Sequence, residues 1–279
     1  MPLGLGRGSG VAVLEMHGVI GTQVRVPVYA RLLDNIAKNK RYRALLLDID
    51  SPGGSASGSE VLYRSLQRVS ENKPVYAYVR GIGASGGYYL CCAANQVFAL
   101  PTALVGSIGV IYLRPILEQL LAKVGVEFSV FKGGRLKDMS GFWRGPTDEE
   151  SDKFQGLINE IYDNFVSVVA QARKLEETKV RDLATGEVVT GLRGVELGLV
   201  DQIGDFEDAL NAAAEAGKTK PRPKWLQPKR GLTSRLMGRS SVAQSGMNSL
   251  AEGLQRILTG GIYYLEPSHL ASGEYRPLD

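Results

Sequence analysis

A repeated local plan constrains this chain more than any other feature: a short apolar run, a glycine-rich turn, then a segment whose apolar residues fall at helical spacing. Residues 44–49 form a continuous apolar run broken only by Asp48. The turn Ser51-Pro52-Gly53-Gly54 follows, and then residues 57–69, where Val61, Leu62, Leu66 and Val69 share one helical face. Residues 74–79 repeat the plan, with a turn at 81–87 and a short apolar helix at 88–94. Runs this short, bounded by turn residues, read as strands buried on both faces. Strand, turn and helix in repetition specify an α/β fold with a mostly parallel sheet and flanking helices. In such sheets the loops after the C-terminal strand ends hold the functional site.

The same reading predicts a strand at 11–16, a helix at 28–36, strands at 97–100, 107–112 and 127–131, and a helix at 115–124. Residues 132–145 read as an irregular polar stretch. Thr147 and Glu150 have capping-box spacing. The long helix they open carries an apolar stripe that includes Phe154, Leu157, Ile161, Phe165, Val169 and Ala172. Short strands at 188–190 and 199–203 and a helix at 206–216 complete a domain over residues 1–216. Residues 217–279 read as a basic linker and a weakly amphipathic tail. Pro221, Pro223 and Pro228 interrupt regular structure, Met247, Leu250, Leu254 and Leu258 recur at helical spacing, and no pattern is evident from Gly260 on.

Charge narrows the class of partner. Residues 216–240 carry eight basic side chains and no acidic one, so removing them from the net +4 leaves the rest of the chain at −4. The basic balance belongs to that segment, and no basic pattern surrounds the glycine-rich turns, so nucleic acid is not the expected partner. The only cysteines, Cys91 and Cys92, are adjacent and unsuited to pairing. His17 and His269 are the only histidines, and neither has metal-ligand company. No metal or other cofactor is expected. No run reaches the roughly 18 apolar residues of a membrane helix, and the N-terminus lacks a signal-peptide core. A soluble or peripherally attached chain is the expectation.

Three turns stand out chemically. In Gly81-Ile82-Gly83-Ala84-Ser85-Gly86-Gly87, one serine sits among small residues between a strand and a helix. A nucleophile there is open to substrate and lies near free backbone amides that stabilise an oxyanion. The plainer readings are a helix N-cap or a phosphate loop, although the Walker pattern is absent. The turn at 51–54 is either an ordinary turn or a place where backbone amides approach a ligand. A serine nucleophile needs a base. Neither His17, at the end of the first strand, nor His269, in the tail, sits where an oriented base is expected, so lysine is the candidate. The third turn, residues 131–140, offers Lys132 and Lys137. A lysine acts as a base only when its pKa is lowered, and residue chemistry alone does not choose between the two.

Taken in order, Ser51-Pro52-Gly53-Gly54, Ala84-Ser85-Gly86-Gly87-Tyr88-Tyr89, Gly106-Ser107-Ile108-Gly109-Val110, the segment from Lys132 to Asp138, and Gly198-Leu199-Val200-Asp201 with Gly204 resemble the signal peptide peptidase A family, the S49 serine peptidases. The resemblance covers roughly residues 11–210 and implies a ClpP/crotonase-like fold. It implies Ser85 as nucleophile, Lys137 as general base, an oxyanion hole from the Gly54 and Gly86 amides, and a supporting hydrogen bond from Ser107 to the lysine. It also implies hydrophobic peptide substrates such as remnant signal peptides, bound by strand addition, and ring-shaped homo-oligomers that the long helix at 149–173 could help to pack. The family usually carries an N-terminal membrane anchor, a departure that leaves location open.

Two other classes fit parts of the pattern. A crotonase-type acyl-CoA enzyme would use the same amide pair without Ser85. A non-catalytic scaffold would contact anionic membrane or a partner through the basic tail.

Overall fold

The computed structural model describes residues 9–228 and 261–265. Among these, residues up to 109, 164–228 and 263–265 belong to one compact unit, and residues 110–163 and 261–262 to a second.

The first unit begins with β1 (Gly10–His17), α1 (Val26–Lys38), β2 (Tyr42–Ser51), the short β3 (Gly53–Ser55), α2 (Ala56–Ser70), β4 (Val75–Ala84), α3 (Gly86–Cys91), β5 (Gln96–Ala99) and β6 (Leu104–Gly106). The second unit holds β7 (Ile111–Leu113), α4 (Glu118–Lys123) and the start of α5 (Asp148–Arg173). The chain then returns to the first unit through the rest of α5, α6 (Glu177–Leu183), β8 (Val188–Thr190), α7 (Gly191–Leu197), β9 (Gln202–Ile203), α8 (Phe206–Ala216) and β10 (Pro223–Leu226), with β11 (Gly261–Leu265) at the end of the described chain.

The main sheet runs β10-β1-β2-β4-β5-β9, with every neighbouring pair parallel. β6 joins β4 in parallel, and β8 joins β6 antiparallel. This is the mostly parallel, helix-flanked, ClpP/crotonase-like sheet. Alternation along the strands explains its burial. Val11, Val13, Ala44, Leu46, Tyr78 and Phe98 form one core with Ala209, Leu210 and Ala213 of α8. Their neighbours Ala12, Leu14, Leu45 and Leu47 are also fully buried, and the two-residue period places them on the opposite face. Burial of both faces is why these strands read as unbroken apolar runs.

Several segments differ from the sequence reading, each for a long-range reason. Residues 81–84 are strand rather than turn, because Ile82, Gly83 and Ala84 pair with Leu104, Val105 and Gly106. The strand expected at 107–112 is broken: Gly106 and Ser107 have φ of +91° and +50°, which ends the ladder. Residues 127–131 form no strand, and helix α4 starts at Glu118 rather than near 115. Within the expected linker, Pro223–Leu226 pairs in parallel with Val11–Leu14. A proline is tolerated there because β10 is an edge strand. Residues 261–265, which showed no pattern, form β11. The amphipathic stretch from Met247 to Leu258, and His269, lie outside the described residues.

The capping box of α5 forms as expected. Thr147 N–H donates to Glu150 Oε2 at 2.9 Å, and Glu150 N–H donates to Thr147 Oγ1 at 3.3 Å. Arg144 grips the same carboxylate with two hydrogen bonds of 2.6 and 2.8 Å. No helix among the described residues is long and apolar enough to cross a membrane.

Candidate active site

Ser85 sits between β4 and α3 with φ 53° and ψ −117°. That conformation suits glycine, and a side chain there is strained. Three features hold it. Its amide donates to the Gly106 carbonyl at 2.7 Å, its carbonyl accepts the Tyr89 amide at 2.8 Å, and Tyr88 and Tyr89 just beyond it are fully buried. Ser85 occupies the N-cap position of α3, yet its side chain accepts no capping hydrogen bond. The N-cap reading of this serine therefore fails at the hydroxyl, although the backbone position is right.

The turn at 51–54 packs directly against this serine turn. A Cβ on Gly53 would stand 2.7 Å from the Gly86 nitrogen, and one on Gly87 would stand 2.5 Å from the Ser51 carbonyl oxygen. The 51–54 turn is itself pinned. Ser51 Oγ donates to the Gly18 carbonyl at 2.7 Å and accepts the Gly53 amide at 3.2 Å. Ile20 N–H donates to the Gly53 carbonyl, and Ser55 N–H donates to the Ile20 carbonyl. Gly54, with φ +149°, lies so close to Ile20 that a Cβ would be 2.2 Å from its carbonyl oxygen. Asp50 Oδ1 accepts the Ile82 amide at 3.0 Å and links the ends of β2 and β4.

The bond from Ser85 to Gly106 brings a third motif to the same place. Ser107, the next residue, also has positive φ, is buried, and donates its amide to the Glu187 carbonyl at 2.7 Å. Gly53, Gly54, Ser85, Gly86 and Ser107 are thus gathered within the first unit.

Lys137 belongs to the second unit, on an exposed run of turns. Arg114 fixes that run by donating to the Met139 and Gly141 carbonyls at 2.7 and 2.9 Å. Lys132 is ion-paired with Asp138, which also lies 3.2 Å from Arg144. Hydrogen bonds from Lys132 and then Arg144 hold the Asp138 carboxyl below its usual range. Among the described residues, the Lys137 amine has no ion pair.

Other ionisable groups have structural employment. His17 Nε2 lies 3.6 Å from Asp48 Oδ1. Burial opposes ionisation of Asp48, but His17 and the Arg80 guanidinium outweigh it and keep the carboxyl low. Lys73 donates to the Ile36 and Asn39 carbonyls at the end of α1. Cys91 and Cys92 are free and buried, and burial pushes the Cys92 thiol up to about 12, so neither is a reactive thiolate. The Gly198–Asp201 motif is scaffolding: the Leu199 carbonyl accepts Tyr88 Oη at 2.8 Å, and Asp201 accepts the Val97 amide and Arg173.

Sequence reasoning passed over a buried aromatic cluster around Tyr89 of α3. Tyr89 contacts Tyr63, Phe165 and Tyr264, with ring centroids 5.0, 5.0 and 5.3 Å away. Asn164 donates to Tyr89 Oη at 3.1 Å, and Tyr89 in turn donates to Glu60. Tyr89 was visible within the Ser85 motif and Phe165 within a helical stripe, but nothing local joined them to Tyr264.

Residues 67–220 match the family described as Peptidase family S49. The chain is 39% identical over 243 residues to slr0021 of Synechocystis sp., covering 86% of this chain and 87% of that protein. It is 33% identical over 220 residues to Protease 4 of Salmonella typhi, covering 76% of this chain and 35% of that protein. It is 31% identical over 211 residues to Serine protease SPPA, chloroplastic, of Arabidopsis thaliana, covering 74% and 31% respectively. The chain therefore spans about a third of the length of the last two relatives.

Proposed function

Because the chain belongs to peptidase family S49, the signal peptide peptidase A family, we propose that it is a serine endopeptidase in which Ser85 is the nucleophile and Lys137 the general base. The observation that carries this reading is the backbone of Ser85. A serine held at φ 53° on a strand-to-helix turn, with a hydroxyl that caps no helix amide, is strained for a purpose other than capping.

Neutral Lys137 takes the Ser85 proton as Oγ attacks the peptide carbonyl. The oxyanion is met by the Gly54 and Gly86 amides. Collapse expels the amine, which receives the proton from the Lys137 ammonium, and water then hydrolyses the acyl-enzyme through the same two groups. The ion pair of Lys132 with Asp138 occupies that amine and favours Lys137 as base. Lys137 is exposed in the single chain, and a neutral amine requires desolvation. A neighbouring subunit of a homo-oligomeric ring is the partner that would provide it. Ser107 would hold the amine in place. Hydrophobic peptides such as remnant signal peptides are the substrate class, and the basic tail would contact anionic membrane.

Hydrolysis of a hydrophobic peptide ester, with fluorophosphonate labelling, tests the reading. Ser85→Ala abolishes both signals, and Lys137→Ala abolishes hydrolysis. Undiminished hydrolysis in either variant refutes the dyad. Tight coenzyme A binding without a label on Ser85 favours the crotonase-type chemistry instead.

A further inference from the structure

A cavity of about 700 Å³ lies within the first unit, where α8 meets the starts of β4 and β5 and the edge strand β9. Its most deeply buried lining residues are Tyr76 and Phe98, 8% and 3% exposed, with ring centroids 6.3 Å apart. Asp208, Asn211 and Glu215 reach it from α8. Their spacing of three and four residues sets them on one helix face. Ser85 follows the opposite end of β4, nine residues beyond Tyr76. At about 3.3 Å per residue that is roughly 30 Å, so the cavity is separate from the serine turn.

The charge of the cavity is one-sided. Asp208 and Glu215 line it, and no lysine, arginine or histidine does. Glu215 stands in the last turn of α8, which holds no basic residue. The negative end of the helix dipole therefore adds to a carboxylate, at a place that favours a cation. Asp208 accepts the Asp205 amide at 2.9 Å through one carboxylate oxygen. Among the described residues, Glu215 has no ion pair, and the side-chain amides of Gln96, Gln202 and Asn211, which also line the cavity, have no hydrogen bond. The Tyr76 hydroxyl likewise has no partner among the described residues, although a phenol on a ring this buried usually finds one. Burial, and then the Glu215 and Asp201 carboxylates, raise its pKa, so it stays a neutral hydroxyl.

We propose that this cavity is a binding site for a guanidinium cation, the side chain of an arginine carried by a peptide. A guanidinium offers five N–H donors in one plane and no acceptor. That matches a lining of carboxylate, amide and hydroxyl oxygens in which no basic group competes. It is also more weakly hydrated than an ammonium and stacks on aromatic rings, which suits Tyr76 and Phe98. A peptide-borne arginine fits better than the free amino acid, whose own carboxylate would meet Asp208 and Glu215. The site uses neither Ser85 nor Lys137 and stands apart from the peptidase reading.

The test is a titration of N-acetyl-L-arginine amide into the full-length chain, followed by saturation-transfer NMR. Saturable binding with a millimolar or tighter Kd is expected. The neutral isostere N-acetyl-L-citrulline amide, the lysine analogue and free L-arginine should each bind at least about tenfold more weakly. Glu215→Gln should weaken the arginine probe by about tenfold, and Tyr76→Phe, which keeps the ring and its packing, by roughly threefold. Glu215 is exposed and unpaired, so its variant should melt with wild type and report on binding alone. Ser85→Ala should bind the probe as wild type does, which separates this site from the fate of the proposed nucleophile. Absence of saturable binding overturns the proposal, as does a citrulline or lysine analogue that binds equally well. Binding unchanged in Glu215→Gln, or lost in Ser85→Ala, would place the ligand elsewhere and overturn it too.

Discussion

The amide of Ser85 donates to the carbonyl of Gly106 at 2.7 Å, tying the turn that presents Ser85 to the turn that presents Ser107. Both serines have positive φ, 53° and 50°. Strain at two polar residues joined by one backbone hydrogen bond is characteristic of a site whose geometry matters more than its stability.

Substitutions at position 85 should separate stability from activity. Ser85→Ala keeps the Cβ and its strain, so its melting temperature should stay near wild type while hydrolysis is lost. Ser85→Gly should also lose hydrolysis but gain about 1 kcal/mol, because glycine adopts this conformation without a Cβ penalty. Thermal melts beside ester hydrolysis read both effects, and a glycine variant less stable than wild type would contradict the strain.

The two lysines of the 131–140 turn should behave oppositely. Lys137→Ala is expected to lower kcat by roughly 10³-fold or more, as loss of a dyad member does. Lys132→Ala breaks the pair with Asp138 and should leave kcat within a few-fold. Equal losses in both would mean that Lys132 also takes part.

Gly54→Ala should damage the fold as well as the oxyanion hole proposed for its amide. The new Cβ would sit 2.2 Å from the Ile20 carbonyl oxygen at φ +149°, at a cost on the order of 1–3 kcal/mol. A denaturant midpoint unchanged from wild type would show that the turn is looser than described.

Glu150 should set part of the acid limb of stability. Hydrogen bonds from Arg144, and then from the Thr147 backbone, lower its carboxyl from 4.5 to about 2. A depressed carboxylate stabilises the fold fully above its unfolded pKa and ceases to do so as pH falls through the folded value. Its contribution is therefore complete above about pH 4.5 and gone near pH 2. Glu150→Gln should melt lower than wild type at pH 7, and the gap should close across that interval. A gap independent of pH would point to packing rather than charge.

Much of the first unit was legible because its signals are local or periodic. Residues 44–49 and 74–79 announce strands buried on both faces, Thr147 and Glu150 announce a helix start, and 206–216 is a helix with the predicted bounds. The Ser85 turn could be singled out as a candidate because glycine, alanine and one serine together have few other uses between a strand and a helix.

The remainder depends on partners distant in the chain. β4 continues through Ala84 because β6 lies beside it, residues 223–226 become a strand because β1 has an open edge, and residues 263–265 become one because β3 does. Strand pairing is satisfied by whichever backbone arrives, and a sequence window carries no record of it. The same holds for the two candidate lysines: Lys132 and Lys137 are equivalent as residues, and the ion pair to Asp138 distinguishes them. By itself the sequence determined the elements, their burial and a serine worth attention. Only the tertiary structure decided what stands against that serine, because charge pairing, glycine-to-backbone contact and ladder hydrogen bonds are properties of pairs.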